Sequence, residues 1–425
     1  GLATAVPLAA DMCPANLILA EVTGSHLSSA RSPPRHRKFL MAVVRPFRAL
    51  RPEPHAAAAV AAVPYDVVST EEARALAAGM PLSFLRVTRP EIDLAPDVDV
   101  HDASVYDTAR ANLARLRETA PLVVEAEPAL YIYRLKDGGH TQVGLAGCFS
   151  LDEYDNGTIK KHERTRPDKE DDRTRHMVTI EAQTGVVFLT YRQTTSIDTA
   201  VEQICDTEPL FDFVAPDGIG HTVWRATAED TARLVERFAE VPALYIADGH
   251  HRAASAARAR RALGGAGADS KDGEHERDYL LAVAFPDHQT RILPYNRTVS
   301  DLAGATPAEF LQRVSARLSV EPTSETTPAK GDASMYLGGR WYRLALSDRA
   351  PEADADPVGS LDVSVLQDQV LGPVLDVKDI RTDPRVCFVG GLRGTGELQQ
   401  LVDSGQAAVA FSMSAVTVAE LLAIA

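Results

Sequence analysis

The 425-residue chain carries 44 Lys and Arg against 59 Asp and Glu, a formal net charge of -15 at pH 7. At about 150 residues per domain, that length supplies two or three domains or one large core with insertions. The acidic balance argues against a protein whose main business is coating nucleic acid or anionic membrane, because neutralising phosphate needs clustered Lys and Arg.

Residues 1–40 are low in pattern and end in "SSARSPPRHRK", which reads as a disordered or non-native extension. The next stretch, 41–128, forms an N-terminal α/β part. Strand-like alternation starts at Met41, the turn-like "VPYDVVS" and "PLSFLRV" follow, and Val105, Ala109, Leu113 and Leu116 predict a helix over Val105 to Thr119. A central part, 129–345, opens with "LYIYRL", "KDGG" and "HTQVGLAGCFSL", the pattern of a β-hairpin. It continues through a charged segment at 159–176, the strand "GVVFLTYR", a helix at 228–240 and the short buried strand "PALYIA". After a further helix, "GGAGADSKDGEHERD" (264–278) is a Gly- and charge-rich loop, followed by strands "YLLAVAF" and "TRILPYN" and a helix from Pro307 to Leu318. A second hairpin is expected in "MYLGGRWYRLAL". Beyond the loose "SDRAPEADADPVGS", a C-terminal part, 361–425, holds a helix at 361–371 and a strand at "CFVGG". Strands and helices interleave without a regular βαβ rhythm, so the fold class is mixed α and β, either α+β or α/β.

Four cysteines, Cys13, Cys148, Cys205 and Cys387, lie far apart without a Cys-x-x-Cys pair. They offer no disulfide framework or zinc ribbon and fit a cytoplasmic protein. No apolar run reaches the roughly 18 residues of a membrane span, and the opening residues lack the basic start of a secretory signal, so no membrane association is expected.

The densest chemistry lies in "YIADGHHRAASA", residues 245–256. If Tyr245 to Ala247 end a strand and Ala253 opens a helix, Asp248 to Arg252 fill the turn, where unpaired N–H groups and the positive helix end make an anion site. Gly249 permits a sharp turn and close ligand approach, and Arg252 can grip phosphate oxygens bidentately. Asp248 is the natural base or metal ligand; the plainer reading is that it caps the helix. Adjacent histidines project about 100° apart on a helix, so one faces the ligand and the other packs or bonds the backbone; His250 is a catalytic candidate and His251 a phosphate-contact candidate.

"IKKHERTRPDKEDDRTRH", residues 159–176, holds seven Lys or Arg, five Asp or Glu and two His. A solvated surface is the plain reading of such a run. The functional one is a structured loop in which Lys160, Lys161, Arg164 and Arg166 neutralise phosphate and Glu163 serves as base. Tyr65 and Asp66 in "VPYDV", Ser83 and Arg86 in "PLSFLRV", and Asn296 in "LPYN" are candidates for substrate contact. "FVGGLRGTGEL" lacks both the Lys-Ser/Thr of a phosphate loop and dinucleotide-binding spacing, and is expected to be a turn.

Together "RPFRALRP", "PYDVVS", "PLSFLRV", "IKKHERTRPDKEDDR", "FLTYR", "DGIGHTVWR", "YIADGHHRAASA", "LPYNR" and "FVGGLRG" resemble the bacterial and archaeal family called domain of unknown function number 1015, from about Met41 onward. A more distant likeness, confined to Asp-Gly-His-His-Arg, is to the ParB/sulfiredoxin-like fold of free serine kinases. That resemblance implies a ParB/sulfiredoxin-like central region with added N- and C-terminal α/β elements. It also implies Asp248, His250, His251 and Arg252 at nucleotide phosphates, and Glu163 as base. Family members usually continue into a Pro-Pro-Lys-Ser-Thr-Trp-type tail absent here, and the chain starts with Gly ahead of the usual start, so a truncated C-terminal part or an altered reading frame is expected.

The leading expectation is a small-molecule kinase using ATP or ADP with Mg²⁺, Asp248 holding the metal, and a hydroxyl such as that of free serine as acceptor. The alternatives are a ParB-like nucleic-acid binder or nuclease, disfavoured by the acidic charge and 6% aromatic content, and a non-catalytic nucleotide or metabolite sensor. The sequence assigns no oligomeric state.

Overall fold

The computed structural model describes residues 20–21, 42–162, 165–264, 275–352, 356–380 and 382–425. The fold is mixed α and β, and its residues group into two compact units, one of Ala10–Lys161 with Thr165–Thr290, the other chiefly Arg291–Ala425. The division falls inside the 129–345 segment that the sequence suggests as one part. The strand that ends at Pro286 is the last of a nine-stranded sheet, whereas those from Tyr295 onward build a separate six-stranded one.

The first unit is organised on nine strands: β1 (Val44–Arg45), β2 (Tyr131–Asp137), β3 (His140–Ser150), β4 (Ile159–Lys160), β5 (Val187–Tyr191), β6 (Phe211–Val214), β7 (Gly220–Arg225), β8 (Leu244–Asp248) and β9 (Tyr279–Pro286). Their order is β6–β7–β2–β3–β9–β5–β8–β4, and β1 pairs with β3 at Phe149 and Cys148, past the end of β2. The β2–β3 hairpin forms as expected. Asp137 pairs with His140 across Gly138–Gly139, and Gly138 has φ +52°, the positive angle that a twist-matched two-residue turn requires. Central β5 and β9 run parallel and are buried along their whole lengths, which explains their unbroken apolar runs. Leu130, Ile132, Phe149, Leu189, Ile246 and Leu280 lie in the main core.

Three helices frame the candidate site. Helix α1 (Ala103–Thr119) buries Val105, Ala109, Leu113 and Leu116, as their spacing predicts, and Asp102 caps it by accepting from the Ser104 N–H at 2.8 Å. Helix α2 (Pro167–Ile180) corrects the loop expected over most of 159–176. Pro167 occupies the first turn, where its missing N–H costs nothing and its fixed φ suits a helix, so it starts the element rather than breaking it. Helix α3 (His250–Ala262) begins three residues earlier than the sequence suggests. Its buried Ala253, Ala256, Ala257 and Ala259 allow close packing in the main core.

The second unit carries β10 (Tyr295–Val299), β11 (Ser319–Pro322), β12 (Asp332–Leu337), β13 (Arg340–Ala345), β14 (Val386–Gly390) and β15 (Val409–Met413), all antiparallel in the order β11–β13–β12–β15–β10–β14. The expected hairpin turns at Gly338–Gly339. The helix expected at 361–371 starts at Asp362 and widens into a π-helical turn over Gln367–Leu371. "FVGGLRGTGEL" is a strand end that leads into a helix, Gly394–Asp403, rather than only a turn.

Of the segment 1–40, Ala20–Glu21 is described and pairs antiparallel with Ala182–Gln183. The remainder of that segment and residues 265–274 of the Gly-rich loop lie outside the described residues. Among the described residues no helix is long and apolar enough to cross a membrane.

Candidate functional site

Strand β8 reaches the site through an irregularity. Ile246 pairs with Leu189 and Asp248 with Phe188, so Ala247 is an extra residue, and such a bulge bends a strand and re-aims its next side chain. Gly249 follows with φ +89° as the residue that opens α3. A Cβ there would lie 3.4 Å from both Arg252 Nη1 and the Val187 Cα, an ordinary contact, so it is the conformation rather than the space that calls for glycine. As the N-cap residue it brings no side chain to cap this helix end. Gly249 rather than Asp248 holds the N-cap position, and Asp248, one residue ahead of it, bonds the Gly249 backbone.

Asp248 and Asp66 converge on one guanidinium. Arg252 Nη2 donates to both Asp66 carboxylate oxygens, at 2.8 and 2.6 Å, while Nη1 donates to Asp248 Oδ2 at 3.2 Å and the Val186 carbonyl at 3.0 Å. The Arg252 side chain is 7% exposed, Asp248 21% and Asp66 41%, so the cation is sealed while the carboxylates reach outward. Burial pushes the Asp248 carboxyl upward, the nearby Asp66 charge adds to this, and Arg252 opposes it. Arg252 is held well above the usual guanidinium range by Asp66 and Asp248, against the effect of its own burial.

Tyr65 lies between two cations. Its ring centre is 4.3 Å from the Arg173 guanidinium carbon and 5.7 Å from that of Arg252. Burial first, then the Asp66 charge, pushes its hydroxyl up to about 12, so it is protonated at neutral pH. Arg173 bonds Asp172 at 2.8 Å and the Thr88 carbonyl at 3.3 Å, and Asp172 accepts from the Tyr106 hydroxyl at 2.7 Å. These α1 and α2 residues are absent from the sequence candidates. Their signal was available: Arg173, His176, Met177 and Ile180 repeat at helical spacing under the charges of the run, and the last three are buried.

The structure thus gathers Tyr65, Asp66, Asp248, Gly249 and Arg252, with His250 and His251 in the first turn of α3. His250 is buried, and burial lowers the His251 pKa, which Glu170 and Asp66 oppose and the Arg166 and Lys169 charges reinforce. Arg166 is exposed and bonds Asp168 at 2.7 Å. Lys160 pairs in register with Tyr245 on the sheet edge, and the Lys161 ammonium sits 3.6 Å from the Tyr154 ring centre. Glu163 and Arg164 lie outside the described residues. Ser83 is buried and accepts from the Leu85 N–H at 3.4 Å, while Arg86 bonds Asp93 and the Met80 and Ala77 carbonyls. Asn296 belongs to the second unit, where it accepts from the Met413 N–H at 3.0 Å.

A family model described as a protein of unknown function, DUF1015, matches residues 44–364. The chain belongs to this family. The DUF1015 match spans Tyr65, Asp66, Asp248 and Arg252, and the family description assigns no activity. No curated protein matches. Among solved structures, the chain is similar to SbnI with C-terminal truncation from Staphylococcus aureus, at 12% identity and a TM-score of 0.34, over 66% of this chain and 76% of that one. At that score the likeness carries no argument about fold or activity.

Proposed function

We propose that this DUF1015 protein is a small-molecule phosphotransferase that moves a phosphoryl group from ATP or ADP to a hydroxyl such as that of free serine. The observation that carries the reading is the convergence of Asp66 and Asp248 on buried Arg252 at a helix start whose N-cap is Gly249. The positive end of α3 attracts phosphate, and the two carboxylates supply hard oxygen ligands beside it.

Among the described residues no group of three or more His, Cys, Asp or Glu forms a metal cage. Two carboxylates still fit Mg²⁺, which commonly takes one or two protein carboxylates and completes its shell with water and substrate phosphates. In this reading Asp248 and Asp66 would hold the ion, whose chemistry is to neutralise charge on the transferring phosphoryl group. Arg252 fixes both carboxylates, so its role is to position them, with phosphate contact left to the α3 N–H groups, His251, Lys160 and Arg166. His250 is the proposed catalytic imidazole. Glu163 is the proposed base, from its place in the charged run and from the likeness to the ParB/sulfiredoxin-like fold of free serine kinases. A cytoplasmic setting is part of the proposal; Cys148, Cys205 and Cys387 carry free thiols.

The engagement of both Arg252 Nη groups by protein oxygens favours one second reading, a nucleotide or metabolite sensor without turnover. Phosphoryl transfer to serine and related hydroxy compounds, followed by ³¹P NMR, separates the two. The proposal expects turnover that Asp248→Asn lowers together with nucleotide affinity, and that Glu163→Gln lowers about 10² to 10⁴-fold with affinity retained. Nucleotide binding without turnover on any hydroxyl acceptor would leave the sensor.

A further inference from the structure

Three arginines are buried among the described residues, Arg252, Arg260 and Arg297. Two have acidic partners: Arg252 has Asp66 and Asp248, and Arg260 has Asp152 at 2.9 Å. Arg297 is 1% exposed, and no carboxylate of the described residues lies within ion-pair distance of it. It projects from β10 on the same face as Val299, a core residue, and its cross-strand partners are Phe388 and Phe411. Its one hydrogen bond runs from Nη1 to the Tyr295 carbonyl, at 2.6 Å, while Nε is buried without a partner. The guanidinium carbon stands 5.7 Å from the Phe388 ring centre, and Tyr295 stacks on that same ring at 4.8 Å with an interplanar angle of 4°.

A cation kept in such surroundings destabilises the fold, because burial removes hydration that one carbonyl bond and a ring contact replace only in part. The same burial lowers the Arg297 pKa to about 10, with only Tyr295 opposing it, so the local field lacks a compensating negative charge. A planar fork with one arm fixed by a carbonyl and its buried Nε unpaired retains the donors for two parallel bonds to an oxyanion. We propose that Arg297 is the cation of an anion-binding site in the second unit, taking the phosphate or carboxylate group of a small ligand beside the Tyr295–Phe388 pair. The site is separate from the phosphotransferase reading and stands or falls without it.

The test is thermal melting of the full chain, titrated with inorganic phosphate and, separately, acetate against chloride at constant ionic strength. Expected is a saturable rise in Tm with at least one of these anions. Response to phosphate but not acetate assigns a phosphorylated ligand, and the reverse a carboxylate. Arg297→Met should lose that rise and melt no lower than the wild type in chloride, since it removes an uncompensated charge while filling the volume. Arg297→Lys keeps the charge without the fork and should need at least tenfold more anion; it decides the matter if the Met variant folds poorly. A wild type that responds to neither anion, or Met and Lys variants whose response matches the wild type, would overturn the site.

Discussion

Replacing Asp66 by Ala tests whether the carboxylates are held as described. The change deletes the bonds of 2.8 and 2.6 Å to Arg252 Nη2 and leaves the guanidinium with Asp248 at 3.2 Å and the Val186 carbonyl at 3.0 Å. A hydrogen bond to a charged group contributes about 1.5–3 kcal/mol. Asp66 is 41% exposed, so solvent screens the pair and water replaces part of the loss, which brings the expected cost to about 1–2 kcal/mol. Arg252→Ala removes the 7%-exposed partner of two carboxylates and should cost about 3–5 kcal/mol. Urea unfolding at pH 7, with the double variant completing the cycle, reads both costs and their coupling, expected at about 0.5–3 kcal/mol. The reasoning fails if Asp66→Ala matches the wild type, or if it costs as much as Arg252→Ala.

Two further outcomes concern the first unit. Glu153 is 6% exposed and accepts the Val43 N–H at 3.0 Å; burial first, against that bond, pushes its pKa from 4.5 up to about 7. A raised folded-state value means that the stability it contributes is present below pH 4.5 and is lost as pH rises through 7, a difference of about 3 kcal/mol at 1.36 kcal/mol per unit. Glu153→Gln keeps an acceptor for Val43 and should therefore be more stable than the wild type at pH 8 and equal to it near pH 4; equal stability at both would contradict the burial argument. Gly249→Ala forces a side chain onto φ +89°, so a loss of about 1–2 kcal/mol with weakened ligand binding is expected. Unchanged melting and binding would show that the turn tolerates other conformations.

The sequence was most legible where one periodicity operated alone. Both hairpins and helix α1 follow from Gly-Gly turns and apolar spacing. The charged run hid a helix because its buried face is a short stripe, His176, Met177 and Ile180, under a surface of paired charges, and because proline at a helix start looks locally like a break. At the site, Asp248, Gly249 and Arg252 were visible as a contiguous motif. The role of Arg252 was not, because its strongest partner, Asp66, lies 186 residues away, and no local pattern reports such a contact. Arg173 was missed for the same reason: its contact with Tyr65 is made by folding. The isolation of Arg297 is legible only in three dimensions, since it consists of partners that are lacking among the described residues.

The central claim is that Asp66 and Asp248, set at the open end of α3, form a site for nucleotide phosphates with Mg²⁺. Titration calorimetry of ATP and ADP into the full chain, with and without Mg²⁺, tests it most directly. The account predicts Mg²⁺-dependent binding of at least one nucleotide, weakened by Asp248→Asn with the melting temperature nearly unchanged. No binding of either nucleotide in the presence of Mg²⁺, or binding that Asp248→Asn leaves untouched, would contradict it.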